Sequence, residues 1–254
     1  MMARRASSTL SVLGLAVLVG GVLAGCATGT AVDPGSDGQE VPGGGATTEI
    51  DVDAAWLDSG RMIGLITEGS STCVPVAEEV TLESDGTLAV VLNEGDETTP
   101  CTADYAPRVT LVDVPEGVDP TKDLEISVTG AGFEGDTELD GVPGLDATVG
   151  VGDYLPSAGW TDVNGRYIAV TWGSSTCAPV VESSEVTGAD AVTLTFAAQP
   201  ADKPCTMDMV PRAVIAIADG LADQPNAVLT LTGPDFPEAK TVILGENHVV
   251  IPLG

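Results

Sequence analysis

Basic residues are few in this 254-residue sequence: 9 lysines and arginines stand against 38 aspartates and glutamates, for a formal net charge of −29. Proteins that bind nucleic acid need a positive face that displaces counterions from the phosphates. Adsorption to anionic lipid through charge alone requires the same kind of surface. The composition therefore excludes most nucleic-acid binders and argues against charge-driven membrane binding.

Histidine is nearly absent, and this limits nucleophilic catalysis. The serine pairs Ser70-Ser71 and Ser174-Ser175 stand beside glycines, but a serine nucleophile needs a base within hydrogen-bond reach. His248 is the one histidine and could serve one pair at most, and no Gly-x-Ser-x-Gly elbow is present. We interpret the serines as turn residues.

Metal and redox motifs are also lacking. There is no Cys-x-x-Cys spacing, which argues against a zinc or redox site. The acid clusters 51–53, 94–97 and 136–138 do not match the EF-hand loop and do not recur elsewhere in the chain. We interpret them as solvated loops, leave calcium binding open, and expect no cofactor and no metal.

The N-terminus has the layout of an export signal. Arg4 and Arg5 precede Leu10–Gly25, which runs sixteen residues without a charge and is short for a membrane-spanning helix. The quartet Leu-Ala-Gly-Cys that ends at Cys26 resembles the lipobox of bacterial lipoproteins. That resemblance implies cleavage before Cys26, lipidation of its side chain, and anchoring at the extracytoplasmic face of the cell membrane.

The chain after the signal predicts a tether and a duplication. Residues 1–25 are the predicted signal peptide, and residues 26–49 the lipidated cysteine and a flexible tether of small, turn-forming residues. At an offset of 104, Gly69–Cys73 recurs as 173–177 and Pro100–Thr102 recurs as 204–206. We therefore predict two repeats, 50–147 and 148–254, each of ordinary domain size.

Alternation of apolar and polar residues identifies each repeat as β structure with one buried face. The predicted fold class is all-β: two tandem antiparallel β-sandwich-like domains related by internal duplication, each with one disulfide. Immunoglobulin domains differ, because there the two cysteines lie further apart and bracket a tryptophan. The sets expected on buried faces are Leu88, Val90, Leu92; Val192, Leu194, Phe196; Leu124, Ile126, Val128; Ala227, Leu229, Leu231; Val109, Leu111; Ala213, Ile215, Ile217; and Ile63, Leu65 matched to Ile168, Val170 at an offset of 105. At Asp113, opposite Ile217, the strand either ends or passes its buried face to Val112 and Val114 through a bulge.

Five cysteines leave one unpaired, and Cys26 accounts for it through its lipid. The other four permit three pairings. Cys73–Cys101 and Cys177–Cys205 are preferred because each repeat carries a pair with the same spacing. Such bridges fit an oxidising compartment.

The segment Cys-Thr-x-Asp-x-x-Pro-Arg is the best polar candidate in each repeat. Arg108 and Arg212 are expected to pair with Asp104 and Asp208 in the same repeat, or else to bind an anionic ligand of the cell wall. Arg61 and Arg166 also nearly correspond. Trp56 and Trp160 recur together and are expected in the cores, whereas Trp172 is expected to be exposed as a contact surface.

The sequence favours a non-enzymatic surface module that binds or spaces other envelope components. Its expected partners are the membrane, through the lipid anchor, and an envelope protein or polymer, but not nucleic acid. The alternative is a cell-wall hydrolase that uses acidic residues in an inter-domain cleft. A solute-binding protein is disfavoured, because that class needs parallel α/β lobes.

Overall fold

A computed structural model describes residues 47–95, 98–221, 226–244 and 249–250. The predicted signal peptide, Cys26, most of the tether and His248 lie outside these residues. Apart from one 3₁₀ turn at Asp58–Gly60, the regular structure described is all strand, which confirms the predicted all-β class. The strands are β1 (Thr48–Glu49), β2 (Asp53–Leu57), β3 (Met62–Gly69), β4 (Val76–Leu82), β5 (Leu88–Asn93), β6 (Ala106–Asp113), β7 (Leu124–Gly130), β8 (Phe133–Leu139), β9 (Ser157–Trp160), β10 (Arg166–Gly173), β11 (Val181–Gly188), β12 (Ala191–Phe196), β13 (Val210–Ile217), β14 (Val228–Gly233), β15 (Phe236–Ile243) and β16 (Val249–Val250).

Each half of the chain contributes a five-stranded and a three-stranded sheet. The first half has the orders β1-β8-β7-β5-β4 and β2-β3-β6, and the second has β11-β12-β14-β15-β16 and β13-β10-β9. Most neighbours are antiparallel, but β5 and β7 run parallel, and so do β12 and β14. The antiparallel prediction is wrong at these pairs because the connecting strand, β6 or β13, lies in the other sheet.

The outer sheet of each half ends in a short strand from one end of the described chain. β1 pairs in parallel with β8 through Thr48 and Glu49, and β16 pairs with β15. Within the described residues, regular structure therefore begins at Thr48, two residues before the predicted boundary at 50. These strands cover sheet edges that would otherwise present unpaired backbone groups.

The space between the two sheets of each half is filled as the alternation predicts. Val90 is 1% exposed and Leu194 is 0% exposed, and their strand neighbours on the same face are equally buried. The predicted sets on β5, β7, β12 and β14 all lie in these two cores. Period-two alternation therefore identified the inward faces of the outer sheets correctly.

A third core lies between the halves, where the two three-stranded sheets pack face to face. It contains six buried residues: Ala55, Leu57, Met62, Ile66, Ile168 and Val170. The central strands β3 and β10 are thus buried on both faces, and the prediction of one buried face is wrong for them. Sequence alternation cannot reveal this, because a strand covered on both sides is apolar throughout.

The third core also corrects the assignment of β6 and β13. Val109 and Leu111 pack against it, as do Ala213 and Ile215, so these residues face the other half instead of their own outer sheet. Ile217, predicted buried, is 51% exposed. The β6 strand ends at Asp113, and its register with β3 has no shift, so no bulge occurs there.

Strand register fixes the offset between repeats at 104 in this region. Gly69 opposes Ala106, and Gly173 opposes Val210 in the same way. Ile63 and Leu65 therefore correspond to Tyr167 and Ala169, which lie in the core of the second half, and not to Ile168 and Val170. The predicted offset of 105 at this strand is wrong.

The two halves are related by an approximate twofold axis. The Asp53 Oδ1 atom accepts a hydrogen bond from the backbone N–H of Asp162, and the Ser157 Oγ atom accepts one from that of Asp58, both at 3.0 Å. These four positions exchange at an offset of 104. Gly64 and its counterpart Ile168 meet across the axis, because a Cβ atom on Gly64 would lie 2.6 Å from Ile168 Cδ1.

Arginines join the halves at this junction. Arg166 forms an ion pair with Asp53, which is 8% exposed. The cluster 51–53 was predicted to be a solvated loop, and this prediction is wrong for Asp53, which is buried and begins β2. Arg61 pairs with Asp58 at 2.6 Å and donates to the carbonyls of Ala147 and Val149 in the connection between halves.

The contacts between β2 and β9 set the relative direction of the halves, because Asp53 at the start of β2 meets Asp162 after β9 and Asp58 after β2 meets Ser157 at the start of β9. Asp53 lies opposite Ile66, toward the Gly69 end of β3, and it contacts Arg166, which begins β10 and is far from Gly173. The loops that follow β3 and β10 therefore lie at opposite ends of the paired sheets.

Candidate functional site: the disulfide-bridged ends

Both predicted disulfides are present. Cys73 bonds to Cys101, and Cys177 bonds to Cys205, each with a Cα–Cα distance of 5.5 Å. Each bridge joins the loop after the central strand, β3 or β10, to the segment before β6 or β13. The two bridges thus hold equivalent loops at the two ends of the paired halves.

Hydroxyl groups and one carboxylate hold each bridged loop together. In the first half, the Ser70 Oγ and Thr102 Oγ1 atoms lie 2.9 Å apart, Ser71 N–H donates to Asp104 at 3.2 Å, and Thr102 Oγ1 also donates to Asp104. Hydrogen bonds from Ser71 and Thr102 lower the pKa of Asp104 to about 2. The serine hydroxyls lie beside a carboxylate that accepts hydrogen bonds from the loop. This arrangement favours the interpretation of the serines as turn residues.

The same network recurs in the second half. Ser174 Oγ lies 2.8 Å from Thr206 Oγ1, Ser175 N–H donates to Asp208 at 3.1 Å, and the Asp208 carboxylate also accepts from Thr206. Hydrogen bonds from Ser175 and Thr206 lower the pKa of Asp208 to about 2. The two disulfide-bridged loops therefore have the same hydrogen-bond network.

Each candidate arginine lies beneath its loop and binds backbone carbonyls. Arg108 Nη1 donates to the Cys73 carbonyl at 2.7 Å, and Arg212 Nη1 donates to the Cys177 carbonyl at 2.8 Å. The guanidinium groups pack on glycine backbone: a Cβ atom on Gly69 would lie 2.5 Å from Arg108 Cζ. This packing explains why glycine, cysteine and arginine recur together.

The predicted arginine–aspartate pairs are not formed. Arg108 pairs with Glu94, whose Oε1 atom lies 3.2 Å from Arg108 Nη2. Among the described residues, no carboxylate oxygen lies within ion-pair distance of Arg212. The physical reason is that Asp104 and Asp208 are already occupied by hydroxyl and amide donors of the loop.

The two arginines therefore have different surroundings. Position 198, which corresponds to Glu94, is alanine. A cleft of about 290 Å³ lies in the second half and is lined by Trp172, Gly173, Ser174, Cys177, Gln199, Cys205, Arg212 and Asp235. Burial lowers the pKa of Arg212, and the charge of Asp235 opposes that shift.

Trp172 was predicted to be exposed, but it is half-buried. Its Nε1 atom donates to the Leu155 carbonyl at 3.0 Å, and its ring meets Tyr154 edge-on with centroids 5.2 Å apart. It packs against the core between the halves and also lines the Arg212 cleft. The core prediction is confirmed for Trp56, which is 2% exposed, and for Trp160, which packs against the second core.

Exposed apolar side chains flank both disulfides, a feature that the sequence reasoning missed. Tyr105 is 79% exposed and Val76 is 61% exposed in the first half. Met209 and Val180, their counterparts at an offset of 104, are 54% and 57% exposed. Large apolar residues in loops beside a paired cysteine were the signal that could have revealed these patches.

Two other concave surfaces differ in the chemistry of their lining. A groove of about 390 Å³ at the junction of the halves is lined mainly by apolar residues, among them Val74, Val76, Leu111 and Pro211. A second groove, of about 580 Å³, lies in the first half and is lined by the polar side chains Glu78, Asn93, Glu94, Thr99 and Thr129 together with apolar residues. Within the described ranges, no three histidine, cysteine or acidic side chains converge as a metal site would require.

A search of the described part of the chain for membrane-crossing helices found no helix with the necessary length and apolar character. Comparisons with protein-family models, with curated proteins and with solved structures found no match to this chain.

Proposed function

We propose that this protein is a lipid-anchored, extracytoplasmic module that binds other envelope components without catalysing a reaction, through two like ends. The observation that carries the proposal is the placement of the two disulfide-bridged loops at opposite ends of a back-to-back pair of sheets. A body with two equivalent ends can contact two partners, or two sites of one polymer, and gains avidity from doing so.

The chemistry of the ends supports binding. Exposed Tyr105 and Met209 supply apolar contact area, and aromatic residues and methionine are enriched in protein interfaces. The loops around them are held by a disulfide and by hydroxyl networks, so little conformational entropy is lost on association. Preorganised loops with exposed large apolar side chains, Tyr105 in the first half and Met207 and Met209 in the second, suit a contact surface.

The alternative hydrolase would need two carboxyl groups about 5–9 Å apart that flank a substrate groove between the halves. The groove found at that junction is lined by valine, proline, alanine, leucine and threonine side chains. This lining favours an apolar contact over acid-catalysed hydrolysis.

The proposal is tested in two steps. Cells that express the full chain are fed an alkyne-bearing fatty acid, and the label should be present in the native protein and absent from Cys26→Ala. Purified protein without the signal is then sedimented with isolated envelope material. Tyr105→Ser and Met209→Ser should each lower the bound fraction, and the double variant should lower it further. Retention by the double variant, or release of soluble wall fragments by the native protein, would contradict the proposal.

A further inference from the structure

The two halves differ in the surroundings of two equivalent arginines, Arg108, which is buried, and Arg212, which is half-buried. In the first half, the Glu94 carboxylate occupies the space beside Arg108 Nη2 at 3.2 Å. In the second half, the corresponding residue is Ala198, and the space beside the guanidinium is an open cleft of about 290 Å³. The second half has therefore retained the arginine and lost the carboxylate that pairs with it in the first half, and the more distant Asp235 supplies a negative charge to the cleft.

The remaining hydrogen bonds of Arg212 reflect this loss. Arg212 Nη2 approaches the Thr171 Oγ1 atom at 3.4 Å and the Trp172 carbonyl at 3.2 Å. The counterpart of Thr171 in the first half, Thr67, has a buried Oγ1 atom with no partner, because the guanidinium there bonds to Glu94. Arg212 Nη2 thus donates to a neutral hydroxyl and a carbonyl, whereas Arg108 Nη2 donates to a carboxylate, the stronger acceptor.

We infer that the cleft over Arg212 is a binding site for a carboxylate group of an external ligand, which takes the place that Glu94 holds in the first half. This inference rests on the proposed binding function and names the ligand chemistry of one of its two ends. The Trp172 ring lines the cleft, so the site suits a carboxylate attached to a small apolar group.

The dimensions of the cleft agree with this ligand, and its lining combines the positive charge of Arg212 with the negative charge of Asp235. Its volume lies near the lower limit of about 300 Å³ for small-molecule pockets, so it holds a terminal group and not a whole polymer. Gln199 and Ser174 add polar groups on the cleft wall, and Asp235 adds a negative charge. The charge of Asp235 opposes an anionic ligand, so its removal should tighten binding.

Amide NMR of the purified protein without its signal tests the inference. Acetate and N-acetylalanine serve as probes, and N-acetylalanine amide is the neutral control. The α-amide of N-acetylglutamate, in which only the side-chain carboxyl is free, distinguishes a side-chain carboxylate from a chain terminus. The two carboxylate probes should shift the Trp172 indole N–H and the Ser174 amide, whereas the neutral amide should not.

Ala198→Glu is the decisive variant, because it rebuilds the carboxylate found in the first half and leaves Arg212 unchanged. It should weaken N-acetylalanine binding at least tenfold while preserving the spectrum of the fold. Asp235→Asn should tighten binding severalfold, and Glu94→Ala should leave the affinity of the Arg212 cleft unchanged. Undiminished binding to Ala198→Glu, or equal shifts with the neutral amide, would overturn the inference.

The outcomes separate this inference from the proposed function. If Ala198→Glu still sediments with envelope material but no carboxylate probe binds the native protein, the cleft assignment fails and the binding function stands. If the native protein does not sediment at all but binds N-acetylalanine through the cleft, the proposed envelope contact fails and the carboxylate site stands.

Discussion

Replacement of Ile168 by alanine tests whether the core between the halves makes them one cooperative unit. Ile168 is 0% exposed and its Cδ1 atom packs on the backbone of Gly64. Because Gly64 has no side chain and both sheets are fixed by their outer partners, the cavity cannot close. Loss of a large aliphatic side chain in a core costs about 2–5 kcal/mol, and an unrelieved cavity places this variant in the upper half of that range.

Native-state hydrogen exchange measures where that free energy is lost. If the halves unfold together, the slowest amides of β5 in the first half and of β12 in the second should lose equal protection. Val186→Ala on the exposed side of β11 is the control, since surface substitutions usually change stability by less than about 0.5 kcal/mol. Protection lost only in β12, with β5 unchanged, would refute a shared core and would make the halves independent domains.

Three further predictions concern the bridged loops. Cys73→Ser combined with Cys101→Ser should lower the free energy of unfolding by about 3–4 kcal/mol in urea titrations, because the bridge spans a sequence separation of 28; an unchanged midpoint would contradict this. Thr102→Val should raise the pKa of Asp104 from about 2 toward 3.8, measured by carboxyl-carbon NMR, while its counterpart in the second half serves as an unchanged control. Since the folded carboxyl has the lower pKa, its contribution to stability is present above pH 3.8 and is lost as the pH falls toward 2, a loss that the variant should reduce. Gly69→Ala should destabilise the fold by about 1–3 kcal/mol, since the new methyl would lie 2.5 Å from Arg108 Cζ, and thermal unfolding at the native midpoint would disprove the packing.

Local periodicity was sufficient to predict the outer sheets and the bridges. Residues such as Val90 and Leu194 alternate with polar neighbours because one face of their sheet meets solvent, and that contrast is visible in a single sequence. The disulfides followed from equal cysteine spacing in the two repeats. Both inferences depend on relations within one half.

The alternation of apolar and polar residues did not predict the contacts between the two halves. Met62–Ile66 is apolar at nearly every position, so no alternation marks which side chains face the other half. The pairing of Asp53 with Arg166 joins residues from different repeats, and charge alone does not specify such a partner. The predicted pairing of Arg108 with Asp104 was wrong, although Asp104 is near Arg108 in sequence. The Asp104 carboxylate instead accepts a hydrogen bond from the Thr102 hydroxyl in the loop.

The meeting of Gly64 with Ile168 at the twofold axis has a consequence for the ancestry of the chain. A symmetric dimer of a single ancestral unit would place identical residues opposite each other there, and neither two glycines nor two isoleucines would fit as well as one of each. Within one chain the two copies can differ at this position, so the glycine of one repeat is complementary to the isoleucine of the other. A chain with two copies of the first repeat would place two glycines at the axis and leave a void. A chain with two copies of the second repeat would place two isoleucines there, and their side chains would clash.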